Sequence, residues 1–463
     1  MRRGGARIVP IEGEADAELM NTGQPWPSPG RARYTLAVLT FALMVATIDR
    51  SILSLLVGPI KHDLGVTDTQ MSLLLGMAFV SIYAFLGLPI ARLADVNSRR
   101  LIIGIGIAFW SAMTALSGVA HTYWQLFLAR VGVGAGEASF APATYSMLTD
   151  SFPKEKLPRA MAFMSMGFTA GTGLALIFGG WVIHLVTGIP AVVLPGVGAI
   201  HPWQLAFFAV GLPGLLLALL MATVREPARR GLMAVDTTTQ RRSLPMRQIF
   251  DFLRSERSTY WPIFLAMGIK SLLSFGMSAW TPTFFVRTYG WTMPQIGFMT
   301  GLILLCVSPI GLLTGGWLAE RFARQGHDDA NMRVVLIATV SALPATVLYP
   351  LMPSAQLALA GFALVQFIVS LGIGPGNAAL QIITPNQMRS QISALYMFIF
   401  NIVGYGLGPT TVALFTDYVF RQESALRYSI TSVAAIAAPI AVLVVWYGLK
   451  PYGRSVLRAN ARA

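Results

Sequence analysis

The stretch Gln125–Pro142, QLFLARVGVGAGEASFAP, decides how the rest of this chain is read. It is apolar enough for a membrane-spanning helix, yet it holds a positive charge at Arg130 and a negative one at Glu137. A charge near the bilayer centre costs roughly 2.5–3.5 kcal/mol on the mildest insertion scale, so such residues mark a pathway or a partner. At about 100° per residue, seven positions return to within about 20° of the same face, so Arg130 and Glu137 point the same way. Gly132, Gly134 and Gly136 between them let another helix or a ligand approach the backbone.

Working outward, composition gives the class. Of 463 residues, 55% are hydrophobic and 12% charged, and the mean hydropathy is +0.62. A soluble protein of this length carries about twice that charge, so the chain reads as an all-α membrane protein. The net charge of +14 follows from Lys and Arg gathered in loops on one side, and nucleic-acid binding is not expected. Cys306 is the single cysteine, which excludes an intramolecular disulfide and a Cys-based metal site. Residues 1–30 hold no apolar core of the kind a signal peptide has, and read as a disordered cytoplasmic tail.

Twelve apolar runs are long enough to span. The first six are Tyr34–Pro59, Gln70–Ala94, Leu101–Ala120, Tyr123–Asp150, Arg159–Val186 and Trp203–Thr223. The second six are Tyr260–Tyr289, Met293–Glu320, Met332–Tyr349, Gln356–Thr384, Ser390–Phe420 and Ala425–Leu449. This predicts two six-helix bundles, residues 31–223 and 259–450, joined by an Arg-rich cytoplasmic linker over 224–258, with a short tail over 451–463. Arg31, Arg33, Arg99, Arg100, Lys154, Lys156, the linker, Arg321, Arg324, Arg389 and Lys450 fall on one side. The other side shows Lys61, Arg287, Arg421 and Arg427. Both termini are therefore expected in the cytoplasm, across a bacterial inner (plasma) membrane. The loop Thr187–Gln204 is long and apolar, and either folds over the mouth of the protein or dips into the outer leaflet.

The two halves repeat. ARLADVNSRR follows the second span and GWLAERFAR the eighth, which places Asp95 and Glu320 at matching helix ends. Arg159 and Arg389 likewise open the fifth helix of each half. Duplicated six-helix units are the pattern of a transporter whose halves rock about a central site.

From Tyr34 to Leu449 the residues resemble the major facilitator superfamily. The loop after the second span is similar to that family's Gly-x-x-x-Asp-Arg-x-Gly-Arg-Arg signature, with Ala91, Val96 and Ser98 as departures and Asp95, Arg99 and Arg100 retained. The second copy keeps Gly316, Glu320 and Arg321. Within the superfamily the chain resembles Spinster-type transporters, through TIDRSILSLLVGPIKHDLGVTD, RVGVGAGEASFAPATYSMLTDSF and PRAMAFMSMGFTAGTGLA. The Asp49–Arg50 pair also occurs in symporters of sugar acids and similar organic anions. The resemblance implies proton-linked movement of an amphipathic anionic lipid, such as a lysophospholipid or a sphingosine-phosphate-like molecule, by alternating access. It implies a cytoplasmic gate at Asp95, Arg99 and Arg100. The repeat extends that gate to Asp150, Arg159, Glu320, Arg321 and Arg389, with solvated helix-end charge as the plainer account.

Helix rise places Asp49 at a depth between Arg130 and Glu137, which lie about 10 Å apart along one helix. Asp49 and Arg130 are expected to form a pair that responds to protonation, with Glu137 as a second proton site below. Burial raises a carboxyl's pKa and a nearby Arg lowers it, so moving the Arg away favours proton uptake. Plain neutralisation of the charges to pin two helices is the alternative. Arg50 points about 100° away from Asp49, toward the cavity or toward a different helix. Arg130, Arg50 and Lys270 are candidates for an anionic head group, Lys270 being read either as a cavity charge or as a snorkelling side chain. Tyr83, Trp280 and Asn401 are candidate lining residues, with packing as the other reading.

The five histidines are scattered and no nucleophile–base set is visible, so no enzyme activity and no metal site are expected. There is no Walker-type glycine loop, so the proton gradient is the expected driving force and no cofactor is called for. A small organic-anion symporter, and a scramblase or channel-like leak pathway, stand as alternatives. A monomer among membrane lipids is expected.

Overall fold

The computed structural model describes residues 26–153, 156–186, 192–194, 198–229, 246–385 and 388–460. Residues 1–25 of the expected tail and 230–245 of the expected linker lie outside them. Among the described residues, eleven helices are long and apolar enough to cross a membrane. The remaining span of the expected twelve is the fourth, which is built in two pieces, Tyr123–Glu137 and Phe140–Ser151. The break falls directly after Glu137, where the Ala138 and Ser139 amides turn back to the Gly134 and Gly136 carbonyls. The tenth span is divided in the same way into Ala355–Leu371 and Ile373–Ile383 at Gly372.

Local sequence sets the ends of these helices. Thr67, Thr122 and Thr292 each open a helix with a capping box closed by the Gln three residues on. Gly65 and Gly290 close helices in the left-handed conformation, at φ 63° and 68°. The apolar loop after the fifth span contains a short antiparallel hairpin, β1 Val192–Leu194 with β2 Gly198–Ile200, paired Val192 to Ile200. Met246–Ser255, in the linker, is a separate short helix ahead of the seventh span Arg257–Tyr289.

Both ends of the described chain lie on one face, the terminal face. Near the opposite face a single hydrophobic core joins the halves, with Ile52, Leu56, Met71 and Phe207 in the same cluster as Trp280, Phe284, Tyr349 and Phe362. Toward the terminal face each half keeps its own core. Leu39, Ile107, Trp110 and Met147 pack in the first half, and Tyr260, Met332, Ile392 and Tyr452 in the second. The halves also meet where small residues let backbones approach: a Cβ on Gly301 of the eighth span would press on the Gly173 carbonyl of the fifth. A second close approach joins two π-helical segments, Leu73–Met77 in the second span and Ile402–Leu407 in the eleventh. There Gly76 lies against the Tyr405 carbonyl with no room for a Cβ.

Candidate functional site

The first span, Pro29–Leu55, presents two consecutive charges to one face of the fourth. Arg130 Nη1 donates to Asp49 Oδ1 at 2.9 Å, and the Thr114 hydroxyl of the third span donates to Asp49 Oδ2. All three side chains are buried, Asp49 and Arg130 at 2% exposure each. One residue along, Arg50 Nε donates to Glu137 Oε2 at 2.7 Å, and Arg50 Nη2 donates to the same oxygen. Glu137 is 1% exposed and the Arg50 side chain 21%. Two turns of the fourth span separate Arg130 from Glu137, and the long Arg50 side chain covers that rise. The expected Asp49–Arg130 pair is present. Of the two directions open to Arg50, the structure takes the one toward another helix.

The Arg50 guanidinium lies 4.7 Å from the Phe79 ring centroid and 5.9 Å from that of Tyr83, within cation–π range. Tyr405 of the eleventh span completes its surroundings, so a group from the second half touches the electrostatics of the first-half pair. Tyr405 also stacks on Phe275 of the seventh span at 3.7 Å. Farther toward the terminal face, Phe85 and Phe398 meet across the halves, centroids 6.3 Å apart. Glu137 Oε1 and Arg130 Nε are buried without a hydrogen-bond partner among the described residues. The arrangement can therefore neutralise two carboxylates internally while keeping one acceptor oxygen uncommitted.

Several expectations change. Arg130 is buried and paired with Asp49 through Nη1, so in this conformation it is not available to a substrate head group. Trp280 is packed in the core: it is 0% exposed and donates Nε1–H to the Pro409 carbonyl at 2.9 Å, because a buried indole needs an acceptor. Asn401 hydrogen-bonds the Met397 carbonyl of its own helix at 2.9 Å. Lys270 stands apart from the charge cluster and lines a separate cavity inside the second half.

The described side chains expected to gate the terminal face bond within one half or to the start of the linker. Arg99 is 1% exposed and bonds Asp150, Glu226 Oε1 at 3.0 Å and the Pro227 carbonyl at 2.9 Å. Arg100 reaches the Val224 carbonyl at 3.3 Å. Glu226 accepts from the Ser98 hydroxyl and the Arg99 and Arg100 amides, capping the third span at Arg99–Ser117. Burial alone would raise its pKa, but these hydrogen bonds outweigh it and hold the carboxyl below its usual range. Glu320 pairs with Arg324 at 3.2 Å on an exposed helix face, and Arg321 lies over the Trp317 ring. Arg389 reaches the Thr384 carbonyl at 3.3 Å, and Arg159 is exposed. The Asp95 side chain lies outside what the structure describes. Among the described residues no hydrogen bond or ion pair joins the halves on this face.

The joining occurs on the opposite face, through residues the sequence reading left aside. Asp68 is 0% exposed and accepts from Lys61 and, at 2.6 and 2.9 Å, from both terminal nitrogens of Arg287. Glu423 takes the remaining reach of Lys61 at 2.9 Å and of Arg287 at 3.1 Å. Asp417 Oδ2 accepts from the Thr69 amide and hydroxyl at 2.7 Å each. Lys61, Asp68 and Thr69 belong to the first half, and Arg287, Asp417 and Glu423 to the second. The available signal was that this sparsely charged face carries acids at the same helix ends as its few cations.

Comparison with known proteins agrees with this architecture. The sequence model of the Major Facilitator Superfamily matches residues 39–409. An MFS-type efflux pump of Mycolicibacterium smegmatis is 26% identical over 434 residues, covering 93% of this chain and 95% of that protein. A D-galactonate transporter of Escherichia coli O6:H1 is 26% identical over 442 residues, covering 90% and 96%. A solved bacterial homolog to the human lysosomal transporter Spinster, inward-facing and unoccupied, superposes with a TM-score of 0.76 at 22% identity. That match covers 94% of this chain and 99% of the solved one.

Proposed function

The chain belongs to the Major Facilitator Superfamily, and from that premise we propose a proton-coupled secondary transporter that moves an amphipathic anionic lipid by alternating access. The observation that carries the reading is the pair of stacked ion pairs, Asp49–Arg130 and Glu137–Arg50. Glu137 is the proton site in this reading. When it takes a proton, Arg50 loses its counter-charge and is left with Phe79, Tyr83 and Tyr405. Tyr405 belongs to the other half, so protonation changes the tie between halves. Asp49, held by Arg130 and Thr114, fixes the first span while this occurs.

Substrate class follows from what surrounds the pair. Tyr83, Phe85, Phe398 and Tyr405 offer aromatic surface, and Arg50 and Arg130 are each paired with a carboxylate. That favours a cargo with a large apolar part over a small polar one. The resemblance to a D-galactonate transporter over nearly its full length supports a second reading, symport of a sugar acid. Placement in a bacterial inner membrane with cytoplasmic termini rests on the loop charges. The halves joined on the opposite face then correspond to an inward-open state.

The test uses purified protein in liposomes holding a pH-sensitive dye, offered a lysophospholipid and a hexuronate in turn. Proton movement with the lysophospholipid, lost in Glu137→Gln, is expected. Movement with the hexuronate alone transfers the assignment to sugar acids. Movement of either cargo without protons, unchanged in Glu137→Gln, overturns the coupling role.

A further inference from the structure

The second half contains one ammonium at membrane depth with no counter-charge. No Asp or Glu occurs between Glu256 and Glu320, between Asp329 and Asp417, or after Glu423. Lys270 lies thirteen residues into the seventh span, Arg257–Tyr289, about 20 Å along it. Among the described residues its Nζ makes no hydrogen bond or ion pair. An uncompensated charge at this depth is expensive, and the first-half charges Asp49, Arg50, Arg130 and Glu137 are all paired.

Lys270 opens into a cavity of about 40 Å³ lined by the seventh, ninth, tenth and twelfth spans. Ser274, one turn on from Lys270, and Gln366 of the tenth span also line it, and neither has a hydrogen-bond partner among the described residues. Thr339 and Thr346 line it too, but their hydroxyls already donate to the Val335 and Ala342 carbonyls at 2.6 and 2.8 Å. Free donors therefore outnumber free acids around the space. Water would fill it and hydrate the ammonium, since about 10–15 Å³ suffices for one molecule, but water does not neutralise charge. The first piece of the tenth span ends beside Lys270, where a Cβ on Gly372 would lie 2.7 Å from Nζ. A helix C-terminus supplies partial negative charge, about half an elementary charge at most.

The repeat gives this cavity its meaning. Asp49 stands sixteen residues before the left-handed cap Gly65, and Ser274 sixteen before Gly290. The fourth span breaks after Glu137, the partner of Arg50, and the tenth at Gly372, beside Lys270. By this count the second half has Ser274 where the first has Asp49, with a lysine one turn before it and a void beside both.

We propose that the Lys270 cavity is a binding site for one small monovalent anion, a halide or a carboxylate, held by Lys270 Nζ, the Ser274 hydroxyl and the Gln366 amide. The site is separate from the Arg50–Glu137 pair and stands whether or not that pair couples protons. Purified full-length protein, free of cargo, would be melted in chloride, bromide or acetate, with sulfate at matched ionic strength as the divalent, strongly hydrated comparison anion. Wild type should gain about 2 °C or more, saturably, in the small anions, and Lys270→Met should not respond. Bromide should give an anomalous scattering peak beside Lys270 in crystals. A halide response identifies a free anion of solution, and a response to acetate alone identifies the carboxylate of an organic molecule. Should Lys270→Met not fold, Ser274→Ala and Gln366→Leu must each raise the anion concentration at half-saturation. No response in wild type, or the same response in all variants, overturns the proposal, because Lys270 would then be neutral or satisfied by the protein.

Discussion

The two faces of this molecule use charge in opposite ways. On the opposite face, Asp68 is fully buried and its partners come from both halves, so the ion pairs hold the halves to each other. On the terminal face, Arg99 is just as buried, but Asp150 and Glu226 both belong to its own side. The hydrophobic cores follow the same division, shared on one face and separate on the other. Burial of a charged residue therefore says little about what it holds together; the chain position of its partner does. Charge that crosses the interface ties the halves to each other, while charge that stays within a half stabilises that half alone.

The comparison can be broken most forcefully at the deepest pair, which belongs wholly to the first half. Asp49→Leu leaves Arg130 buried alone and should cost about 3–5 kcal/mol, seen as a large fall in detergent melting temperature. Asp49→Leu with Arg130→Met should recover most of it, since an apolar replacement of both partners restores neutrality. A double variant no more stable than the single would show that the pair does more than compensate its own burial.

Asp68→Asn should instead shift the balance of states. Ser72 Oγ and Thr410 Oγ1 lie 3.3 Å apart across the halves, so cysteines at both positions, in a Cys306→Ser background, report closure. We expect crosslinking to slow at least fivefold, about 1 kcal/mol. An unchanged rate would mean that the apolar core alone closes this face. Gly76→Ala forces a methyl against the Tyr405 carbonyl and should slow the same crosslink while lowering stability by about 1–3 kcal/mol.

The within-half contacts of the terminal face should give small, state-independent effects. Glu226 is held below its usual pKa, so its stabilisation is present at neutral pH and disappears as pH falls through its own lowered pKa. The melting-temperature gap between wild type and Glu226→Gln should thus be flat near neutrality and close only below about pH 4. A gap that widens in acid would contradict the sign. Glu320→Ala, at an exposed i,i+4 pair, should change stability by about 0.3–0.5 kcal/mol, with no effect on the Ser72–Thr410 crosslink.

Span number, the two-half repeat and the Asp49–Arg130 pair were legible because they depend on periodicity and depth, which sequence carries directly. The Arg50–Glu137 pair was not, because a 100° step fixes a direction but not which of several helices lies there. Asp68, Asp417 and Glu423 escaped notice for another reason. An acid at a helix end beside a loop looks solvated until the second half is docked against it, and that docking is a property of the whole chain. Trp280 shows the converse, since a polar-tipped aromatic in a long helix can be read as lining or as core until its indole finds Pro409.

The eleventh span has one more property. Its short α segment Gly408–Leu414 is flanked on both sides by π-helix, Ile402–Leu407 before it and Phe415–Phe420 after. A π turn holds more residues than an α turn, so each flank is a store of one spare residue. Passing that spare residue from one flank to the other turns the segment between them by about 100°, while the two ends of the span stay where they are. Gly408–Leu414 is in this sense held between two flanks that each carry slack. Pro409, which receives the Trp280 indole, and Thr410, which faces Ser72, are mounted on it.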